Sequence, residues 1–231
     1  MKIVKFCKSI YKKSAVKSGK LRIGTFDLYK KIENEILQDK EEGIAKYTYT
    51  GHKPLSEKDN DKLFAHGPYK LDNGWKIKTN GIPLHLEIPQ FNTFIFSCSQ
   101  IKGNEIKKVA KHLKYEDYYQ INDLESFAIE IAKQISIKYN NANVKFHHEK
   151  VTYIEKKATI ITEDEKDTLE VQKFRTEDFF EKDKYFADDK EYRFLWLVSD
   201  DTVNPTYQSI RVDSIDIKSK KLKEFISHIK T

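Results

Sequence analysis

FFEKDKYFADDKEYRFLWLV (residues 179–198) joins a charged, aromatic-rich segment to a strongly apolar one. In its second half bulky β-forming residues alternate, which predicts a strand with two distinct faces. One face belongs to the core and consists of Tyr192, Phe194, Trp196 and Val198. The other face begins with Glu191 and Arg193, directly after a loop at residues 182–190. We therefore predict a core strand whose first polar residues lie beside a cleft.

The composition is that of a folded protein, which we expect to form a single domain over residues 1–231. Of the residues, 39% are hydrophobic and 34% are charged, and the formal net charge is +6. No run of about 18 apolar residues is present, and the amino-terminal residues lack a signal-peptide pattern. The two cysteines, Cys7 and Cys98, form no CxxC motif. These features predict a cytoplasmic protein without a membrane partner.

The order of the predicted elements indicates an α+β fold, because strands and helices do not alternate regularly. We expect a mixed or antiparallel β-rich core with about four helices. Strands are expected at residues 2–7, 21–26, 44–50, 82–88, 93–100, 144–154, 158–162, 169–174, 191–198 and 209–217. Helices are expected at residues 27–42, 105–114, 123–139 and 219–230, with a helix or turn at 9–17. A polar loop at 51–68 and Asn-Gly turns at 73–74 and 80–81 connect the strands.

Arginine is rare in this chain, since only four of the 42 basic residues are Arg. A planar guanidinium binds a carboxylate or phosphate with two parallel hydrogen bonds, which lysine cannot do. Two of the four, Arg22 and Arg193, lie in the predicted strands that are of most interest for function. Gly24 follows Arg22 on the same strand face, where it leaves the backbone open to close approach by a ligand.

Three distant strands present polar groups opposite a core face. They carry Arg22, then Ser97 with Ser99, and finally Glu191, with Asp189 two residues before it. Arg193 is expected to pair with Glu191, because the two share a strand face. If these groups lie apart, the pair is a surface contact of less than about 1 kcal/mol, and Ser97 and Ser99 belong to an edge strand that faces water.

Taken in chain order, these residues resemble the Arg-Ser-Glu signature of the ADP-ribosyltransferase superfamily. The matching segments are LRIG at 21–24, FIFSCSQ at 94–100 and DKEYRF at 189–194. The resemblance implies a split-sheet core and NAD as a substrate. Two positions differ, since the usual Ser-Thr-Ser is Ser97-Cys98-Ser99 here, and Asp189 replaces a usual Glu or Gln. The latter position commonly helps select the acceptor, so nucleic acid and protein both stay open as acceptors.

The chain also resembles a bacterial family that is often found among defence and mobile genes. The shared features are an early Gly-x-Leu-Arg segment, a middle Ser-Cys-x-Ser-like strand and a late Phe-x-Lys segment followed by Glu-Tyr-Arg. They fall in GKLR at 19–22, SCSQ at 97–100 and EYR at 191–193. This resemblance implies a toxin in phage defence, together with an antitoxin or chaperone partner, but no established activity.

The first resemblance implies a role for each polar residue. Glu191 would stabilise the oxocarbenium-like state formed when the nicotinamide–ribose bond breaks, as carboxylates do in glycoside hydrolysis. Arg22 would bind pyrophosphate or ribose, and Ser97 would orient the ribose and Glu191. Gly24 and Ser99 complete the NAD site, and Tyr185 or Phe186 would stack or meet the acceptor. Asp189 and Arg193 would lie on the acceptor side.

Two other functions remain open. A nucleic-acid-binding or nuclease module would use the Lys-rich segments, which contain Lys12, Lys13, Lys17, Lys20 and residues 218–223. The acidic residues Asp27, Glu33 and Asp39 have no recognised nuclease spacing, and we expect no metal site. A non-catalytic partner-binding protein would retain the scaffold alone.

Overall fold

The computed structural model describes residues 1–32, 44–50, 84–89, 92–155, 159–162, 179–199, 207 and 209–229. By contacts the chain divides into two compact units. The first comprises Met1–Lys40, Phe91–Ile154 and Phe180–Thr231, and the second comprises Glu41–Gln90 and Glu155–Phe179. The architecture is α+β with a mostly antiparallel main sheet, which confirms the predicted fold class at that level. The expectation of one domain stays a prediction.

The described elements follow one another without regular βαβ alternation. In chain order they are β1 (Lys2–Cys7), α1 (Ser9–Ser18), β2 (Lys20–Thr25), α2 (Phe26–Ile32), β3 (Ile44–Thr50), β4 (Leu84–Pro89), β5 (Phe94–Ile101), α3 (Ile106–His112), β6 (Asp117–Ile121), α4 (Leu124–Lys138), β7 (Asn143–Lys150), β8 (Thr152–Ile154), β9 (Thr159–Thr162), β10 (Glu181–Asp183), β11 (Glu191–Ser199), β12 (Ser214–Lys218) and β13 (Ile226–Ser227). Short 3-10 helices cover Gly103–Glu105, Lys184–Asp189 and Lys221–Lys223.

Strand β5 is the centre of the main sheet, which belongs to the first unit. Along one path the strand order is β12-β2-β5-β1-β6-β13, and β11 pairs with the other edge of β5 and with β7. Along the edge opposite β11, β5 pairs with two different strands. Residues Phe94 and Ile95 pair with β2, whereas Ser99, Gln100 and Ile101 pair with β1. The sheet therefore forks beside the middle of β5.

Strand β11 lies between β5 and β7, and all nine of its residues are buried. The apolar alternation of the sequence accounts for its core face, since Phe194 contacts Phe127 of α4 with ring centroids 5.2 Å apart. The indole nitrogen of Trp196 donates a 3.0 Å hydrogen bond to the backbone oxygen of Ala128. Burying large aromatic side chains against the apolar stripe of a helix is a major stabilising contribution to this unit.

Helix α4 has the predicted amphipathic stripe and the predicted cap. The Asp123 carboxylate accepts a 3.0 Å hydrogen bond from the backbone N–H of Ser126, which satisfies a donor of the first turn. Phe127, Ile131 and Ile135 are fully buried. The end of α1 also matches its prediction, because Gly19 is left-handed with φ of 62°.

The structure corrects one predicted helix and adds a strand that was not predicted. The helix predicted at 219–230 is wrong, since the segment forms a short 3-10 helix and then β13, whose Ile226 pairs with Ile121 of β6. Strand β6 itself has no counterpart among the predicted strands. In both cases pairing between remote segments overrides the local pattern. Leu222, Ile226 and Ile229 are nevertheless buried, as the apolar spacing predicted.

The described part of the second unit is a three-stranded sheet of order β4-β3-β9. Strand β3 pairs antiparallel with β4 and parallel with β9. The predicted loop at 51–68, the two Asn-Gly turns, residues 33–42 of the predicted second helix and the strand at 169–174 lie outside the described residues. Within the described part of the chain, no helix has the length and apolar character needed to span a membrane.

The aromatic contact between β11 and α4 makes a testable contribution to stability. Replacing Phe194 by Ala should lower the free energy of unfolding by about 3–5 kcal/mol, because it leaves a cavity among fully buried rings. Ile129→Ala on the exposed side of α4 is the matched control, and its effect should stay within about 0.5 kcal/mol. Urea unfolding followed by far-ultraviolet circular dichroism measures both values. Similar values for the two variants would contradict this packing.

Candidate functional site

The fork beside β5 leaves a backbone carbonyl that neither β1 nor β2 pairs with in the described registers. Lys5 of β1 meets this need, because its Nζ donates a 2.7 Å hydrogen bond to the backbone oxygen of Ser97. The same ammonium lies 4.5 Å from the ring centroid of Phe96. A lysine side chain therefore replaces the backbone hydrogen bond that is missing where strand pairing stops.

A solvent-open cleft lies at this fork and has an empty volume of about 460 Å³, counting its mouth. Four parts of the first unit build it: the strands at the fork, helix α2, the segment after α3 and the segment before β11. The lining residues are Lys5, Phe6, Tyr29, Ser97, Cys98, Ser99, Leu113, Tyr115, Lys182, Asp189 and Glu191. The lining combines charged and hydroxyl groups with aromatic rings, a combination typical of ligand sites.

Glu191 begins β11 and faces Ser99 of β5 in the strand register. It is only 6% exposed. Its backbone N–H donates a 2.7 Å hydrogen bond to the hydroxyl oxygen of Tyr153. Its backbone oxygen accepts a 3.0 Å bond from the N–H of Val151. Lys190, the residue before it, is left-handed with φ of 48°, and this turn directs the chain from the 3-10 helix into the strand.

Two buried cations bind the carboxylate of Glu191. Arg193 donates from Nε to Oε1 at 2.7 Å and from Nη2 to Oε2 at 3.1 Å, so the predicted pairing of these residues is present. Lys182 donates to Oε2 at 3.2 Å and also to the carboxylate of Asp189 at 3.3 Å. The side chains of Lys182 and Arg193 are each 2% exposed. Charged groups that are buried this completely require partners of opposite charge. Here Glu191 is the partner of both cations, and Asp189 is a second partner of Lys182.

Asp189 differs electrostatically from a surface carboxylate. Burial raises its pKa above the usual value, the nearby charge of Glu191 raises it further, and the ammonium of Lys182 opposes both effects. Its second oxygen lies 3.5 Å from Nε2 of His112 at the end of α3. Asp189 therefore takes up a proton more readily than an ordinary aspartate and has a histidine beside it.

Cys98 lines the cleft between the two serines, but its thiol is poorly suited to nucleophilic attack. Burial raises the pKa of this thiol to about 12, the charge of Lys5 lowers it in part, and Glu191 raises it again. The thiolate is the reactive form of cysteine, so the neutral thiol that dominates near pH 7 is inert. Cys98 accordingly acts as a packing residue of the core.

The structure brings together four of the sequence-predicted residues, since Ser97, Ser99, Asp189 and Glu191 all line the cleft. Arg193 is not among the lining residues, but it binds Glu191. The two aromatic candidates lie on the 3-10 helix before β11. The Phe186 ring centroid is 4.6 Å from Nζ of Lys182, whereas Tyr185 is 81% exposed.

Arg22 and Gly24 lie elsewhere on β2. Arg22 is not among the described residues that line the cleft, and its Nε binds Asp216 of β12 at 3.2 Å on an exposed face. A Cβ at Gly24 would lie 2.9 Å from the ring of Tyr29. The close approach that this glycine permits is therefore made by Tyr29, which reaches the cleft over the strand. The roles in NAD binding expected for Arg22 and Gly24 stay predictions.

Sequence reasoning missed the cations and rings that complete the site: Lys5, Tyr29, Tyr153 and Lys182. Nothing in the local pattern marks them. Lys182 stands in a run of charged residues, where a lysine is normally solvated. Its burial results from the two carboxylates that approach it from the following turn and from β11.

Comparisons with models of protein families, with curated proteins and with solved structures gave no match. Among the described residues, no group of three or more His, Cys, Asp and Glu side chains is arranged to hold a metal ion. The chemistry of the cleft is therefore inferred from its own side chains.

The buried and exposed ion pairs should contribute very differently to stability. Glu191→Ala should lower the free energy of unfolding by about 3–5 kcal/mol, because Arg193 and Lys182 would be left as buried charges that lack this partner. Asp216→Ala removes the exposed partner of Arg22 and should change the free energy of unfolding by less than about 1 kcal/mol. Urea unfolding of both variants measures the difference. Equal and small effects would show that the buried cluster is not needed for folding.

The pH dependence of thiol modification tests whether the two cysteines are buried. Burial raises the pKa of Cys7 to about 11 and that of Cys98 to about 12, so each thiol stays neutral well above its usual range. In the folded protein the rate of thiol modification should be slow and should rise about tenfold per pH unit from about pH 7 to about pH 9. A chromogenic thiol reagent measures it, with Cys7→Ser to assign the two sites. A plateau near pH 8.5 would contradict the raised values.

Proposed function

We propose that this chain is an ADP-ribosyltransferase-like effector that transfers ADP-ribose from NAD to a nucleic-acid or protein acceptor, as a toxin in phage defence. One observation carries the proposal. Glu191 shares a single cleft with Ser97 and Ser99 at the fork of the main sheet. A carboxylate beside two hydroxyls at a strand fork is the arrangement that the Ser and Glu parts of the signature require.

The proposed reaction replaces one bond to the ribose by another. The bond between ribose C1′ and the nicotinamide nitrogen breaks, and nicotinamide leaves with the electron pair. The ribose then carries developing positive charge, which a fixed carboxylate stabilises more strongly in a cleft than in water. A nucleophilic oxygen or nitrogen of the acceptor bonds to C1′ and gives up a proton. Glu191 would supply the stabilising charge.

The neighbours of Glu191 would fix it for this role. Arg193 donates to both of its oxygens and Lys182 donates to one of them, so the carboxylate has little freedom to rotate. Preorganised charge of this kind needs no rearrangement during the reaction. Ser97 and Ser99 would bind the ribose hydroxyls and set the distance between the sugar and Glu191.

The acceptor side of the cleft would be formed by the segment before β11. Asp189, whose pKa is raised by burial, would take the acceptor's proton. Tyr185 is exposed on the same segment and would meet the acceptor. In the resemblance the phosphate contact belongs to Arg22, but Lys5 lines the cleft and supplies the nearer positive charge.

The proposal predicts that the purified chain releases nicotinamide from NAD when offered oligonucleotides or proteins as acceptors. Glu191→Gln should lower this rate by about 100-fold or more, since it removes the stabilising charge. Ser97→Ala should lower it by a smaller factor without loss of folding, because no hydrogen bond of the Ser97 hydroxyl to a described residue is lost. Release of nicotinamide and mass gain on the acceptor are measured together.

The exposed Glu116 provides the matched control, since Glu116→Gln makes the same chemical change at a residue that does not line the cleft. Thermal unfolding of every variant separates lost activity from lost structure. If the folded chain neither binds NAD nor releases nicotinamide with any acceptor, the proposal is overturned. That outcome would favour a non-catalytic partner-binding protein.

A further inference from the structure

A second feature of the first unit is an exposed basic surface, which we define as the charged residues of segments 17–22 and 216–224. Four elements meet there: the end of α1, the start of β2, the end of β12 and the last 3-10 helix. All of its charged side chains lie on exposed residues. They are Lys17, Lys20, Arg22, Asp216, Lys218, Lys220, Lys221, Lys223 and Glu224.

Tertiary contacts bring the two segments together. Lys20 and Lys218 are direct partners in the antiparallel register of β2 and β12. The backbone N–H of Ser219 donates a 3.1 Å hydrogen bond to the backbone oxygen of Gly19. A Cβ at Gly19 would lie 2.0 Å from the backbone oxygen of Ser219, so only glycine permits this approach. The side chain of Lys223 lies beside this junction, and Lys17 is two residues before Gly19 in the chain.

The surface concentrates the charge of the chain. Its seven basic and two acidic residues give a net charge of +5, compared with +6 for all 231 residues. Asp216 neutralises part of it by binding Arg22 at 3.2 Å and Lys20 at 3.7 Å. Among described residues, the other lysines of the surface make no ion pair within 4.0 Å; these are Lys17, Lys218, Lys220, Lys221 and Lys223. Unneutralised lysines held close together repel one another unless an anion lies between them.

The chemistry of the surface favours one kind of anion. Lysine ammonium groups act as point charges and bind phosphates without requiring a planar partner. The exposed large hydrophobic side chains of the described chain lie outside both segments, so the surface has nothing to insert into a lipid layer or to stack on a base. We propose that this basic surface binds the phosphodiester backbone of RNA or DNA without reading its sequence. The binding is independent of NAD chemistry in the cleft.

Fluorescence anisotropy with labelled single-stranded RNA and duplex DNA tests the proposal on the full chain. With about five phosphate contacts, affinity should fall about 100-fold for the single-stranded RNA and about 500-fold for the duplex DNA between about 50 and about 200 mM salt. Replacing Lys218, Lys220 and Lys221 together by Gln should weaken binding and reduce the salt dependence. The control replaces Lys108, Lys133 and Lys138 by Gln, which removes the same charge from exposed positions on α3 and α4 and should leave binding nearly unchanged.

The two nucleic acids identify the source of the phosphates, and binding of either supports the proposal. Equal weakening by the surface and control variants would overturn it, because bulk charge alone would then explain the affinity. Binding only to vesicles with anionic lipid, or to neither nucleic acid, would overturn it as well. Glu191→Gln should retain nucleic-acid binding, and the lysine variants should retain any release of nicotinamide that is measured without nucleic acid. Failure of one proposal is therefore distinguishable from failure of the other.

Discussion

The buried carboxylate of Glu191 is the constraint on which the candidate site depends. A carboxylate that is 6% exposed is expensive to bury in its charged form unless that charge is compensated. Arg193 and Lys182 compensate it, and Lys182 in turn requires Asp189. The position of the segment before β11 follows from this network, because Lys182 and Asp189 lie at its two ends. Part of the cleft wall is thus fixed by charge compensation.

The fork of the main sheet provides the space that this network borders. If β1 and β2 formed one continuous edge partner for β5, the middle of that strand would be covered. Instead β2 pairs with its first residues and β1 with its last, and Lys5 satisfies the backbone oxygen of Ser97 between them. The fork leaves Phe96, Ser97 and Cys98 of β5 without a partner in β1 or β2, and β11 brings Glu191 to the same place through its register with Ser99. The sheet topology therefore forms the cleft, and the buried ion pairs lie at its border.

Much of the fold could be predicted from local periodicity. The alternation in β11 and the apolar stripe of α4 each repeat over several residues, and both elements match the structure closely. The error at 219–230 has a physical reason, because apolar residues at helical spacing are buried there by pairing β13 with β6 instead. Of the predicted site residues, Ser97, Ser99, Asp189 and Glu191 converge. Arg22 satisfies the same strand pattern, but its partner is Asp216.

The sequence by itself determined which residues are apolar, which faces of its strands and helices are buried, and which polar groups interrupt those faces. These properties depend on neighbours a few positions away, so the spacing of apolar and polar residues along the sequence is enough to predict them. Only the tertiary structure decided that Lys182 and Arg193 hold Glu191, that Tyr29 fills the space above Gly24, and that lysines from both ends of the chain form one surface. Strand register and sheet order determine such contacts. Both result from packing of remote segments, which leaves no local pattern in the sequence.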